Sequence, residues 1–77
     1  MAIAHTPRLD DKDWQVAGDA FVAWITELEF FEIRPDPVTG DFHLTLNNTG
    51  TAQVTPLGTH GYARDAMKAA KVHLGDN

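Results

Sequence analysis

Between residues 11 and 28, apolar side chains recur every three or four positions. Such spacing places them along one side of an α-helix. Asp10 stands where an N-cap aspartate would accept backbone N–H groups. The pattern therefore predicts an amphipathic helix over about residues 11–28, with an apolar face formed by Trp14, Ala17, Phe21, Trp24 and Leu28.

The period changes after residue 29. Residues 30–34 are aromatic and alternating, residues 42–47 alternate apolar and polar positions, and residues 51–55 form a third short β-prone run before Pro56. Alternation of this kind is typical of half-buried strands. The turn-rich segments 35–41 and 47–50 separate them. We therefore expect a three-stranded antiparallel meander.

The last segment, residues 62–74, is rich in alanine and predicts a second helix, which Gly75 would end. The predicted fold is thus α+β, with the order α-β-β-β-α and both helices packed on one face of the sheet. The other face would be polar and open. Residues 1–9 are predicted to form a flexible arm, and residues 10–77 a single domain.

Composition limits the class of protein. The chain has 77 residues, 43% of them hydrophobic and 22% charged, and it has no cysteine. A folded domain of this size has a small core, and the lack of cysteine argues against a secreted disulfide scaffold. No apolar run resembles a signal peptide or a membrane span. We therefore predict a cytoplasmic protein with no membrane partner.

The charge is unevenly distributed. The formal net charge is −5, and residues 1–61 hold three basic side chains against nine carboxylates. Residues 62–77 are mildly basic, because Arg64, Lys68 and Lys71 stand there at helical spacing. A freely basic nucleic-acid binder would carry the opposite overall sign.

No motif for chemistry stands out. The four histidines lack the spacing of a metal site, and no nucleotide-binding glycine pattern occurs. We therefore predict no metal and no cofactor. His43 is the sole candidate for a catalytic residue, as a general acid or base exposed on a strand. We rank that role below the interpretation of His43 as a solvated side chain.

Predicted partner-binding residues follow from exposure and charge. Trp14 is expected to lie partly at the surface, where aromatic side chains dominate interfaces. His43, Thr45 and Gln53 are expected on the open sheet face. The basic stripe of the second helix completes the set, which is Trp14, His43, Thr45, Gln53, Arg64, Lys68 and Lys71.

The α-β-β-β-α order resembles that of double-stranded-RNA-binding domains and of small HicA-type RNase toxins. In the toxins a strand histidine carries the chemistry, and His43 stands at a comparable place. The resemblance implies RNA binding, with or without RNase activity. This chain is acidic and has Gly40-Asp41-Phe42-His43 where the toxins have a Gly-Ser-His run.

The sequence is compatible with three functions. The first is a small non-enzymatic protein-binding module, a regulator or inhibitor of a host or cognate protein in the style of phage and mobile-element proteins. The second is a nucleic-acid-binding domain that uses the basic stripe and His43. The third is a structural or oligomer-forming subunit, for which a homodimer is one option.

Overall fold

The computed structural model describes residues 11–75, and the predicted N-terminal arm lies outside them. A single 3-10 turn opens this part of the chain, five strands follow, and one α-helix closes it. The elements are the turn Asp11–Asp13, β1 Gln15–Ala17, β2 Ala20–Trp24, β3 Glu29–Pro35, β4 Phe42–Asn48, β5 Gln53–His60 and α1 Ala63–His73.

The strands form one antiparallel sheet in the order β1-β2-β3-β4-β5, so every strand pairs with its neighbour in sequence. Only hairpin connections are needed to build such a meander. The predicted order α-β-β-β-α is therefore wrong, because the described chain has five strands and one helix. The topological resemblance to double-stranded-RNA-binding domains and HicA-type toxins depended on that order and is withdrawn with it.

The largest correction concerns residues 11–28, which were predicted to be helical. They form β1 and β2 instead. The apolar positions satisfy both periods, because Phe21 and Ala23 also share one face of a strand while Val22 and Trp24 share the other. β-branched and aromatic residues favour the strand, and pairing of β2 with β3 decides the outcome.

Gly18 makes the first hairpin feasible. Gly18 and Asp19 are the two residues between the paired positions Ala17 and Ala20. The φ angle of Gly18 is +66°. A positive φ at the first central position is the conformation that glycine supplies in type II′ hairpin turns.

β3 and β4 lie at the first two predicted strands. β5 overlaps the third, predicted at residues 51–55, only at residues 53–55, and it continues through Pro56 to His60. Proline is tolerated there because β5 is an edge strand. Thr45 lies opposite Pro56 while Leu44 lies opposite Gly58, so Leu57 is an extra residue at a β-bulge.

The helix α1 lies where the alanine-rich pattern predicts it. Gly75 follows the C-cap Leu74 with a φ of +83°, as expected of a helix-ending glycine. Ala66 and Ala70 are fully buried against the sheet. Their small side chains let the helix lie close to the strands.

The core is formed where α1 covers one side of the sheet. Phe31, Ile33 and Leu44 are the largest fully buried side chains there, and Ala23 packs with them. Nine half-buried apolar side chains surround this cluster: Trp14, Phe21, Ile25, Phe42, Leu46, Leu57, Met67, Ala69 and Leu74. The opposite side of the sheet, hereafter the open face, carries no described helix.

Candidate binding face of the sheet

Residues directly opposite each other on paired strands share a face of the sheet, and this register arranges the open face in three rows. One row is largely apolar and runs through Trp24, Phe30, Asn47 and Val54. The middle row is Val22, Glu32, Thr45 and Pro56. The third row is polar and contains Arg34, His43 and Thr59.

Trp24 and Phe30 form an aromatic pair at one end of the open face. Their ring centroids lie 4.6 Å apart with an interplanar angle of 45°. Trp24 is 49% exposed although it is one of the largest side chains of the protein. Val54, in the same row on the edge strand, is also exposed. The row thus presents apolar area to solvent on both flanks of the sheet.

Arg34 is the cation of the open face, and two carboxylates engage it. Its Nη1 atom lies 3.3 Å from Oδ1 of Asp19, and its Nη2 atom lies 2.9 Å from Oε2 of Glu32. Because the guanidinium is shared between two acids, this trio carries a net negative charge. Arg34 is therefore not a free cation for a phosphate.

A second polar network joins the β3–β4 turn to β5. The Nε2 atom of His43 lies 3.0 Å from Oδ2 of Asp36, and its Nδ1 atom lies 3.0 Å from Oγ1 of Thr59. Oδ1 of Asp36 also accepts hydrogen bonds from the backbone N–H groups of Val38 and Thr39. The hydrogen bond from His43, followed by those from Val38 and Thr39, lowers the pKa of Asp36 from 3.8 to about 2.

The predicted binding residues do not form one surface. His43 and Thr45 lie on the open face, as alternation along β4 predicts. Gln53 is the first residue of β5. It lies opposite Asn48, and this register places it on the side of the sheet that carries the helix. Trp14 is half-buried and packs against the core.

The basic stripe is remote from the open face. Arg64 and Lys68 are exposed on α1, whereas Lys71 is half-buried. The guanidinium carbon of Arg64 lies 5.4 Å from the ring centroid of Tyr62. Because α1 packs on the opposite side of the sheet, the structure does not bring His43 and the stripe together.

Four residues of the open face were missed as site residues. Trp24 was assigned to the apolar face of a helix, Phe30 to a strand and Asp36 to a turn-rich segment. None of these residues, nor Thr59, was among the predicted binding residues. Alternation in Phe30-Phe31 was the available signal, since only one of two adjacent strand residues faces the core.

Neither a cluster of metal ligands nor a membrane-spanning helix is found among the residues that the structure describes. In the described part of the chain, no three histidine, aspartate or glutamate side chains come together as metal ligands. No helix among residues 11–75 has the length and apolar character needed to span a bilayer. Comparisons with protein-family models, with curated proteins and with solved structures give no match.

Proposed function

We propose that this protein is a small binding module for another protein, and that the open face of its sheet is the contact surface. The observation that carries the proposal is the aromatic pair on the open face, in which Trp24 is 49% exposed and packs on the half-buried Phe30. Aromatic side chains supply large contact area at low conformational cost and dominate interface hot spots. Val54 extends the same apolar row to the sheet edge.

The charge of the sheet defines the chemistry of the partner. Residues 15–60 contain six carboxylates and a single guanidinium, that of Arg34. Arg34 is held by Asp19 and Glu32, so the open face attracts cations and repels phosphates. We infer that the partner presents lysine or arginine side chains beside an apolar side chain, which would pack on Trp24.

The role within the cell follows as part of the proposal. A module that presents an uncovered sheet face fits a regulator or inhibitor that acts by occupying its partner. The absence of cysteine supports a cytoplasmic setting.

The first experiment maps the contact by photo-crosslinking. A photo-reactive amino acid replaces Trp24 in one variant and Val72 of α1 in another, because Val72 is a comparably exposed apolar side chain on the other side of the molecule. Each variant is irradiated in nuclease-treated lysate, and adducts are identified by mass spectrometry. We expect one protein to crosslink from position 24 and not from position 72.

Two further variants test the specificity of that adduct. With the photo-reactive residue at position 54, Trp24→Ala should abolish crosslinking to the same protein, whereas a triple alanine variant of Arg64, Lys68 and Lys71 should retain it. Equal crosslinking from positions 24 and 72, or an adduct indifferent to Trp24→Ala, would overturn the proposal.

Nucleic-acid binding through α1 is the second candidate. It is supported by the exposed side chains of Arg64 and Lys68 beside the exposed ring of Tyr62. Cations interleaved with an aromatic ring are a common arrangement for single-stranded nucleic acid. Binding of a labelled single strand should then weaken steeply with salt. It should be lost in the triple alanine variant and retained in Trp24→Ala.

A further inference from the structure

Asp36, His43 and Thr59 form a continuous chain of hydrogen bonds that the proposed binding function does not use. The imidazole of His43 stands between the carboxylate and the hydroxyl, with 3.0 Å on each side. Thr59 is exposed at the edge of the sheet, so its hydroxyl can be reached from solvent. Within residues 11–75, no other threonine hydroxyl is hydrogen-bonded to a histidine.

The carboxylate determines the roles of the two ring nitrogens. Asp36 is ionised at neutral pH, since its pKa, lowered from 3.8 to about 2, lies far below 7. An ionised carboxylate only accepts hydrogen bonds. Nε2 of His43 therefore carries the hydrogen atom and donates a hydrogen bond to Asp36. In the neutral imidazole, Nδ1 then has a free lone pair and accepts the hydrogen bond of the Thr59 hydroxyl.

This arrangement is the one that activates a hydroxyl nucleophile, in which a base touches the hydroxyl and a third group orients the base. Other threonines of the described chain are engaged differently. Oγ1 of Thr45 accepts a hydrogen bond from the side-chain amide of Asn47, and Oγ1 of Thr51 accepts one from the backbone N–H of Gln53. Neither contact removes a proton from the hydroxyl.

We propose that Thr59 is an acyl-acceptor site for an activated acyl donor, a thioester or an activated ester, with His43 as its general base. Oγ1 of Thr59 attacks the carbonyl carbon while Nδ1 of His43 takes the hydroxyl proton. The bond from that carbon to the sulfur or oxygen of the leaving group breaks, and the leaving group takes the proton from the imidazolium. The products are a threonine ester and a free thiol or alcohol.

Asp36 is a positioning residue in this step. It holds the imidazole with Nδ1 towards Thr59, and its negative charge stabilises the imidazolium that forms transiently. A general base of this kind contributes about 10²–10⁴-fold to a rate. Thr59 should therefore be acylated far faster than an ordinary surface threonine.

The test uses 4-nitrophenyl acetate near neutral pH and locates the added acetyl group by peptide mass spectrometry. Release of nitrophenolate is not the readout, because any exposed histidine accelerates it. Thr45 and Thr51 serve as internal references in the same digest. We expect acetylation of Thr59 to be about 10²-fold faster than that of either reference. Equal rates at the three threonines would overturn the proposal.

Three variants separate the chemistry from a structural role. His43→Gln removes the base and should reduce acetylation of Thr59 to the rate of Thr45. Asp36→Asn keeps an oxygen for the N–H groups of the turn but can place an NH₂ donor against Nε2. The tautomer of His43 should then reverse, which ¹⁵N NMR of the ring detects, and acetylation should fall as well. Glu27→Gln removes an exposed carboxylate from the connection between β2 and β3, away from His43, and should leave the rate unchanged.

Folding is checked by circular dichroism for each variant. Thr59→Ser provides a test that does not depend on the Asp36 substitution, because serine presents the same hydroxyl to His43. The acetyl group should still be found at position 59. Undiminished acetylation of Thr59 in folded His43→Gln protein would contradict the assignment of His43 as the base.

Discussion

Asp36 and His43 face each other across the hairpin that joins β3 to β4, with 3.0 Å between Oδ2 and Nε2. This contact is the main reason that the pKa of Asp36 is lowered to about 2. In His43→Ala protein we expect the pKa of Asp36 to rise towards 3.8 without reaching it, because the N–H groups of Val38 and Thr39 still bind Oδ1. Carboxyl ¹³C NMR during acid titration measures both values.

The same shift has a consequence for acid stability. The folded-state pKa of Asp36 is lower than its unfolded value, so its stabilising contribution is complete above about pH 4 and is lost as the pH falls towards 2. His43→Ala should flatten the decline of unfolding free energy over that interval. A decline as steep as that of the wild type would assign the acid sensitivity to other carboxylates.

Truncation should destabilise the protein much more at Phe31 than at Trp24. Phe31 is fully buried, and Phe31→Ala should lower the free energy of unfolding by about 3–5 kcal/mol. Trp24 is half-exposed and loses mainly its contact with Phe30, so Trp24→Ala should cost about 1 kcal/mol. Urea denaturation measures both. A loss for Trp24→Ala as large as that for Phe31→Ala would mean that Trp24 is a core residue.

Gly18 and Gly61 provide a matched pair of substitutions. At either position a Cβ atom would meet nothing within 4 Å in the described part of the chain, so the difference between them is conformational. Gly18 has a φ of +66°, and Gly18→Ala should lower the free energy of unfolding by about 1–2 kcal/mol. Gly61→Ala should be neutral or stabilise by up to about 1 kcal/mol, because alanine restricts the unfolded chain. Equal losses in thermal denaturation would contradict the hairpin at residues 17–20.

His60 carries a buried nitrogen, Nε2, that has no hydrogen-bond partner among residues 11–75. Such an unsatisfied group costs about 1–3 kcal/mol, so an apolar replacement of similar size should raise stability. We expect His60→Leu to raise the free energy of unfolding by about 1 kcal/mol. Gln53→Leu is the control, because Gln53 is exposed on the same strand and its substitution should change stability by less than about 0.5 kcal/mol. A loss of stability in His60→Leu would show that Nε2 is satisfied in solution.

The spacing of apolar residues predicted correctly those segments whose pattern fits either the helical period or the strand period, but not both. Residues 42–47 alternate so strictly that β4 and the outward position of His43 could be read directly, and the alanines before Gly75 defined α1. Residues 14–28 satisfied the helical and the strand period together. Their conformation was decided by the pairing of β2 with β3, a contact between segments that no local window contains.

The candidate site shows the same division. Sequence placed His43 at a solvent-facing position, but its partners lie 7 and 16 residues away at Asp36 and Thr59. Only the register of β4 with β5, together with the turn after β3, brings the three side chains within hydrogen-bond distance. Likewise, the half-exposed Trp24 and the half-buried Phe30 lie on the open face because α1 covers the Phe31 side of the sheet. The sequence pattern determines which side chains share a face of a strand and where turns can form. Which of the two sheet faces is buried depends on where the helix packs, and that choice exists only in the folded chain.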